Sequence, residues 1–349
     1  MTQSITRSVI RSFLSALFSV LGFLFGIFLI FALIGSLLGD KDDELEAKSY
    51  YSPTIVANAD QKRTSVSDKA PVILKVSVSG LIGTETLNMN TFRQILQESR
   101  EGHFKNDRVK ALLVHISTPG GTVVDSEGIY RAIKQYKADY DVPVYAFVDG
   151  MCASGGMYIA SACDKIYATD ASLIGSVGVL SPAFFNFTGL MEKLGVGAKV
   201  LSVGKGKDDM NPFRPWKEGE SDSYKQIIDF YYNQFVDIVV EGRPDIKRAR
   251  LVNEYGAHVF PAPKAQEFGF IDGSGYSYEQ TVELLAKEIG IEDDYYQVVQ
   301  MKRKIDLSDF FNTGTMLFNG KVQHQIDLAP YFDHHLMNKF LYLYMPQAQ

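Results

Sequence analysis

A run of 28 residues without a charge, "SFLSALFSVLGFLFGIFLIFALIGSLLG", separates Arg11 from Asp40 and constrains this chain more than any other feature. At about 1.5 Å per residue, a helix of that length crosses a hydrocarbon layer of roughly 30 Å with room to tilt. A cleaved leader would have a shorter apolar region, about 7 to 15 residues, followed by a small-residue cleavage site that this text lacks. A retained transmembrane anchor over residues 12–39 is therefore expected, with membrane lipid as its partner. Arg7 and Arg11 precede the run and "DKDDELE" follows it. That asymmetry places residues 1–11 in the cytoplasm and the rest of the chain outside, on an inner or plasma membrane crossed once.

The remainder is long enough to bury a large core: 349 residues in all, 46% of them hydrophobic. A net charge of −6 with no basic run sets nucleic acid aside as a partner. Cys152 and Cys163 lie in apolar text with no CxxC or Cys/His spacing, so they read as buried thiols. Among six histidines, His115 sits inside the apolar "ALLVHIST", and the pair His334 and His335 has no third ligand at a recognised spacing. No metal and no cofactor is expected.

Residues 40–70 are polar and without helical periodicity, and read as a tether. From Pro71 the pattern alternates. "PVILKVSVSG", "VKALLVHIST" and "VPVYAFVD" are β-branched runs suited to buried strands, the last ended by Asp149 and Gly150. "NTFRQILQESR" and "VDSEGIYRAIKQYK" carry apolar residues at helical spacing, and a further helix starts near Ser154. Strand and helix in alternation give parallel pairing through right-handed crossovers, an α/β domain over residues 71–290. The stripe Tyr224, Ile227, Ile228, Tyr231 and Phe235 on a helix over 220–241 reads as core. Residues 291–349 form a C-terminal extension whose aromatic end docks on the body, lines a substrate entrance or touches a membrane, in that order of preference.

Two glycine-rich turns fall where strands end. "STPGGTVVDSEG" exposes backbone amides after one strand, and "DGMCASGGMY" puts Ser154 at the start of a helix. Amides converging on a hydroxyl are the ingredients of acyl transfer. Each turn also has a plain reading, as a turn or as small residues that let helix and sheet approach. The nucleophile-elbow pattern G-x-S-x-G fails because Cys152 stands at its first glycine. No Ser/His/Asp order stands out, and lysine offers an alternative base, although a loop lysine also has the plain reading of a solvated side chain. The strand-like "KVLSV" runs into a glycine-bordered loop with Lys205 and Lys207, and serine–lysine pairs are a known variant in which a neutral amine takes the hydroxyl proton. Asp208 and Asp209 would oppose that neutrality if they packed close.

Four blocks in order, "STPGGTVVDSE", "VDGMCASGGMYIASACDKIYATDASLIGSVGV", "VGKGKDDMNPFRPW" and "VFPAPKAQEFGFID", resemble the signal peptide peptidase A family of membrane-anchored serine proteases. The resemblance implies a crotonase-like or Clp-protease-like fold of repeated βαβ units and a Ser/Lys dyad. It makes Ser154 the nucleophile and Lys207 the general base, with Lys205 at a variable place. It assigns the oxyanion donors to Gly120, Gly121 and Gly155, and the hydroxyl that orients the lysine to Ser176. It also implies a homo-oligomer in which the lysine can come from a neighbouring subunit. Met157, Cys152 and the absence of an arginine in "YGAHVF" depart from the family pattern and bear on specificity and subunit contacts. The expected activity is endopeptidase cleavage of apolar peptides, such as signal-peptide remnants or membrane-protein fragments. A crotonase-like acyl-CoA enzyme and a noncatalytic membrane scaffold are the alternatives.

Overall fold

The computed structural model describes residues 2–38, 49–63, 65–67, 69–291, 295–304 and 339–344. The chain divides into two units, Met1–Ser49 and Tyr50–Gln349. The first holds one helix, α1 (Thr2–Leu38), and its stretch Arg11–Leu33, with mean hydropathy 2.7, is long and apolar enough to cross a membrane. The charged segment after it and the pair His334 and His335 lie outside the described residues.

The second unit begins with β1 (Tyr51–Val56), β2 (Val72–Ser79), α2 (Met89–Glu98), β3 (Val109–Thr118) and β4 (Gly120–Thr122). There follow α3 (Val123–Tyr140), β5 (Val144–Ala153), α4 (Gly155–Ala160), β6 (Lys165–Ala168), β7 (Leu173–Gly175), α5 (Thr188–Leu194) and α6 (Asp222–Gly242). The rest comprises α7 (Arg248–Arg250), β8 (Val259–Pro261), α8 (Ala262–Glu267), β9 (Gly273–Ser274), α9 (Tyr278–Glu288), β10 (Gln297–Arg303) and β11 (Leu341–Leu343). The main sheet runs β1-β10-β2-β3-β5-β6-β9, with β7 and β8 branching from β5. From β10 to β9 the neighbours are parallel, as the alternating pattern predicts; β1 at the edge and the β7–β8 pair are antiparallel.

Side-chain alternation along the strands supplies two cores. Leu112, Val114 and Ile116 of β3 and Val144, Ala146 and Val148 of β5 pack on one face, with Phe92 of α2, Ile129 and Ile133 of α3 and Tyr158 of α4. Ala111, Leu113, Tyr145 and Phe147 face the other way, onto Val282 and Leu285 of α9. Both cysteines are buried free thiols. Burial pushes the Cys163 thiol up to about 12.

The sheet reaches beyond residues 71–290 on both sides. Part of the segment expected as a tether forms β1, because the Tyr50 and Tyr51 amides donate to the buried Glu98 carboxylate at 2.9 and 3.1 Å, and Ile55 pairs with Val299 of β10. β5 does not stop at Asp149 and Gly150. Its first half pairs with β6 and its last three residues, Met151–Ala153, switch to β7, so one strand serves two neighbours. "KVLSV" is not a strand: it pairs with nothing among the described residues, and Leu201 and Val203 are 86% and 98% exposed. Of the stripe on α6 only Phe235 is fully buried, while Ile227 is exposed beside Phe230.

Candidate active site

Ser154 stands where β5 meets α4, in a backbone conformation that L-residues rarely adopt, φ 53° and ψ −112°. Main-chain bonds hold it there. Its amide donates to the Gly175 carbonyl at 2.8 Å, and its own carbonyl accepts from the Tyr158 amide at 3.0 Å. A serine in this position commonly turns its hydroxyl onto the helix amides. Here no such bond forms; the residue is 1% exposed and Oγ has no hydrogen-bond partner among the described residues. Strain together with an unspent buried hydroxyl marks a position held for something other than stability.

Ser176 occupies the equivalent place on the next strand. Ala153 pairs with Gly175, so Ser154 and Ser176 each follow directly on that pair. Ser176 is also in the left-handed region, φ 58°, and its amide donates to the His258 carbonyl at 2.7 Å. The antiparallel contact of β7 with β8 fixes that end of the site.

The glycine turn lies across from them. Gly120 has φ 105°, and its amide donates to Thr118 Oγ1 at 3.0 Å, so this amide is already engaged and Gly120 acts as the turn-former. Ile82 runs along one edge of the turn: its amide donates to Gly120 O at 2.9 Å and its carbonyl accepts from the Thr122 amide at 3.1 Å. The Gly121 amide therefore faces the opposite edge. A Cβ on Gly121 would strike the Ile82 carbonyl, and one on Gly155 would strike Ser126 Oγ. Both glycines thus meet the plain requirement of close approach and also leave their amides uncovered by side chains. The Thr122 hydroxyl caps α3 by accepting from the Asp125 amide at 3.2 Å, which fixes how the turn enters the helix.

Lys207 makes no hydrogen bond to Ser154 in the chain's own fold. It sits in an exposed turn bordered by Gly204 (φ 107°) and Gly206 (φ 76°), its amide donating to Gly204 O at 3.2 Å, and Ser154 Oγ receives nothing from it. Lys205 is exposed in the same turn. Asp208 turns away to Arg214, with Oδ2 2.6 Å from Nε, and Arg214 also pairs with Glu220 at 2.7 Å. Hydrogen bonds from Arg214 and Asn211 hold the Asp208 carboxyl below the usual carboxylate range. This carboxylate is spent on an arginine, which removes one of the two groups that would keep a neighbouring lysine protonated.

Sequence reasoning did not place the segment 340–344 beside the glycine turn. β11 pairs antiparallel with β4, placing Tyr342 opposite Gly121, and the Phe340–Tyr344 alternation of aromatic and leucine in "FLYLY" was the available signal. Docking on the body, the first-ranked expectation for this tail, is what these residues do.

An α/β domain with a strained, buried serine between two glycine-lined strand ends defines a hydrolase-like site. Residues 136–292 match the profile of peptidase family S49. Over 241 residues the chain is 31% identical to a candidate signal peptide peptidase SppA of Enterococcus faecium, covering 69% of this chain and 67% of that protein. It is 32% identical over 222 residues to a candidate protease of Synechocystis sp., covering 64% and 76%. A solved mutant of the 1510-N membrane-bound stomatin-specific protease is 17% identical, with a TM-score of 0.40 over 68% of this chain and 99% of that one. The chain belongs to peptidase family S49, the signal peptide peptidase A family.

Proposed function

We propose that this protein is a membrane-anchored serine endopeptidase with a Ser154–Lys207 dyad completed between copies of the chain. The observation that carries the reading is the buried Ser154 hydroxyl, left without a partner in a strained backbone beside the Gly121 and Gly155 amides. Ser154 Oγ attacks a peptide carbonyl and a neutral Lys207 amine takes its proton. The oxyanion is held by the Gly121 and Gly155 amides, and the lysine returns the proton to the leaving amine. Water then hydrolyses the acyl-enzyme by the same route in reverse order of proton transfer. Ser176, next to Ser154 across the Ala153–Gly175 pair, orients the amine.

The lysine comes from a neighbouring copy in this reading. Supporting it, the turn that carries Lys207 is exposed, and the stretch 185–213 around it displays Phe185, Leu190, Leu201, Val203 and Phe213 to solvent, apolar side chains that a second copy would cover. The domain limits are taken as an anchor over 12–39 and a protease body that includes β1 and β10. The helix α1 holds the body to the bilayer, on the extracytoplasmic side by the charge argument, and brings it to apolar peptides such as signal-peptide remnants or membrane-protein fragments. A crotonase-like acyl-CoA enzyme would have no use for a partnerless serine at this position.

The deciding experiment is covalent labelling with a fluorophosphonate. The intact protein is expected to label at Ser154, and the Ser154→Ala and Lys207→Ala variants to lose both labelling and peptide hydrolysis while keeping their melting temperature. Normal turnover in either variant would overturn the dyad.

A further inference from the structure

β5 changes partner within a few residues. Val148 is its last residue to pair with β6, opposite Ala168, and Met151 is its first to pair with β7, opposite Leu173. Against β3 the same stretch is a bulge: Ile116 stands opposite Val148 and Thr118 opposite Cys152, so Asp149, Gly150 and Met151 share the single neighbour Ser117. A bulge re-aims the strand that carries it, and Ser154 lies at the end of the part that is re-aimed.

A buried tie marks the crossing. The Val148 carbonyl accepts twice, from the Thr169 amide at 3.0 Å and from Ser172 Oγ at 3.0 Å. Because the Ser172 hydroxyl spends its one proton on Val148, the 2.8 Å contact between the Thr169 and Ser172 hydroxyls has Thr169 as donor. The Ser172 amide donates to Thr169 O at 3.0 Å, closing the turn between β6 and β7, and its carbonyl accepts from the Ala262 amide of α8 at 2.9 Å. Ser172 is fully buried with its amide, carbonyl and hydroxyl all bonded, the reverse of Ser154.

β7 begins on the next residue. It is only three residues long, so its own ladder is short and its placement leans on the tie at its start. Its last residue, Gly175, offers the carbonyl that holds the Ser154 amide, and Ser176 follows. A serine at φ 53° persists only where its surroundings over-determine it.

Resting on the peptidase reading above, we infer that Ser172 is a positioning residue for Ser154. Its hydroxyl fixes where β7 starts, β7 fixes the Gly175 carbonyl, and that carbonyl holds the nucleophile in its strained backbone beside the Gly121 and Gly155 amides. The hydroxyl itself stays on Val148 and Thr169 and touches no reacting atom.

One readout needs no catalysis. Ser154→Gly relieves the strain and is expected to raise the melting temperature of the parent chain; in Ser172→Ala, where the strain has relaxed, the same change is expected to gain nothing. Substitutions at independent sites add, so an equal effect of Ser154→Gly in both backgrounds overturns the inference. Ser172→Ala leaves the Val148 carbonyl bonded to the Thr169 amide, so no buried acceptor is orphaned there. Thr169→Val, at a half-buried position, loosens the same tie and serves if Ser172→Ala unfolds the chain.

The second readout is the rate of peptide hydrolysis and of fluorophosphonate labelling. Ser172→Ala is expected to lower kcat and the labelling rate by about ten- to 100-fold with little change in KM, as small displacements of a reacting group do. Ser172→Thr, which keeps the hydroxyl, is expected to hold the parent rates. Parent rates in folded Ser172→Ala, or an equal loss in Ser172→Thr, overturn the inference. Coupled melting temperatures with no hydrolysis or labelling by the parent chain would leave the positioning standing and remove the peptidase reading. Hydrolysis by the parent chain with additive melting temperatures would do the reverse.

Discussion

The amide of Ser154 hangs on the Gly175 carbonyl 2.8 Å away while its hydroxyl bonds to nothing among the described residues. The backbone is thus held at φ 53° by a neighbouring strand, and the side chain contributes nothing to that hold. Removing the hydroxyl should leave the fold intact. Ser154→Gly goes further, since glycine adopts this conformation freely while strain of this kind costs on the order of 1–3 kcal/mol. We expect Ser154→Gly to melt at or above the parent temperature by calorimetry and to be inactive.

Gly121 makes the opposite prediction. A methyl group there meets the Ile82 backbone carbonyl, which cannot swing aside as a side chain would. Gly121→Ala should destabilise the chain by about 1–3 kcal/mol in a denaturant titration. Where folded, it should lower kcat about 100- to 1,000-fold, because the displaced amide no longer points at the oxyanion.

Completion of the site between copies has a direct test. Ser154→Ala and Lys207→Ala are each expected to be inactive, yet a mixture allowed to exchange subunits should regain part of the parent hydrolysis rate, since one interface then joins an intact serine to an intact lysine. A mixture as dead as its components, under conditions where exchange is demonstrated by crosslinking, would place both groups in one chain.

Arg214 ties Asp208 and Glu220 together at the base of the Lys207 turn. Arg214→Ala frees both carboxylates beside the lysine. The expected result is a large loss of kcat together with a lower melting temperature, because Glu220 is buried at 7% exposure and loses its cationic partner. A proportional rise in KM alone would argue against an effect on the base.

His115 gives the chain a pH dependence unrelated to catalysis. Burial, then the nearby Lys75, lower its pKa from 6.5, against the pull of Asp149, whose Oδ2 lies 2.8 Å from Nε2 but out of line for a good hydrogen bond. Folded His115 binds its proton less readily than unfolded His115. Stability present above about 6.5 therefore declines as pH falls below it and levels off beneath the folded value. His115→Gln should flatten the melting-temperature profile between pH 7 and 5, and an unchanged slope would rule the residue out.

Much of this was legible because it is local. The uncharged run made α1, β-branched alternation made β2, β3 and β5, and helical spacing made α2 and α3, since each pattern records which side of its own segment must leave water. The two glycine turns were legible for the same reason: their backbone demands are met by the residues themselves. What a segment touches far away in the chain leaves no such record. β1 joined the sheet through Glu98 and β10, "KVLSV" stayed out of it, and the strand end at Ser154 took its strained conformation where β5 crosses from β6 to β7. Above all, the meeting of Gly121 with Tyr342, over 200 residues apart in the chain, was decided by tertiary packing: hydrogen bonding between strands depends on which edges are left unpaired once the rest of the sheet has formed.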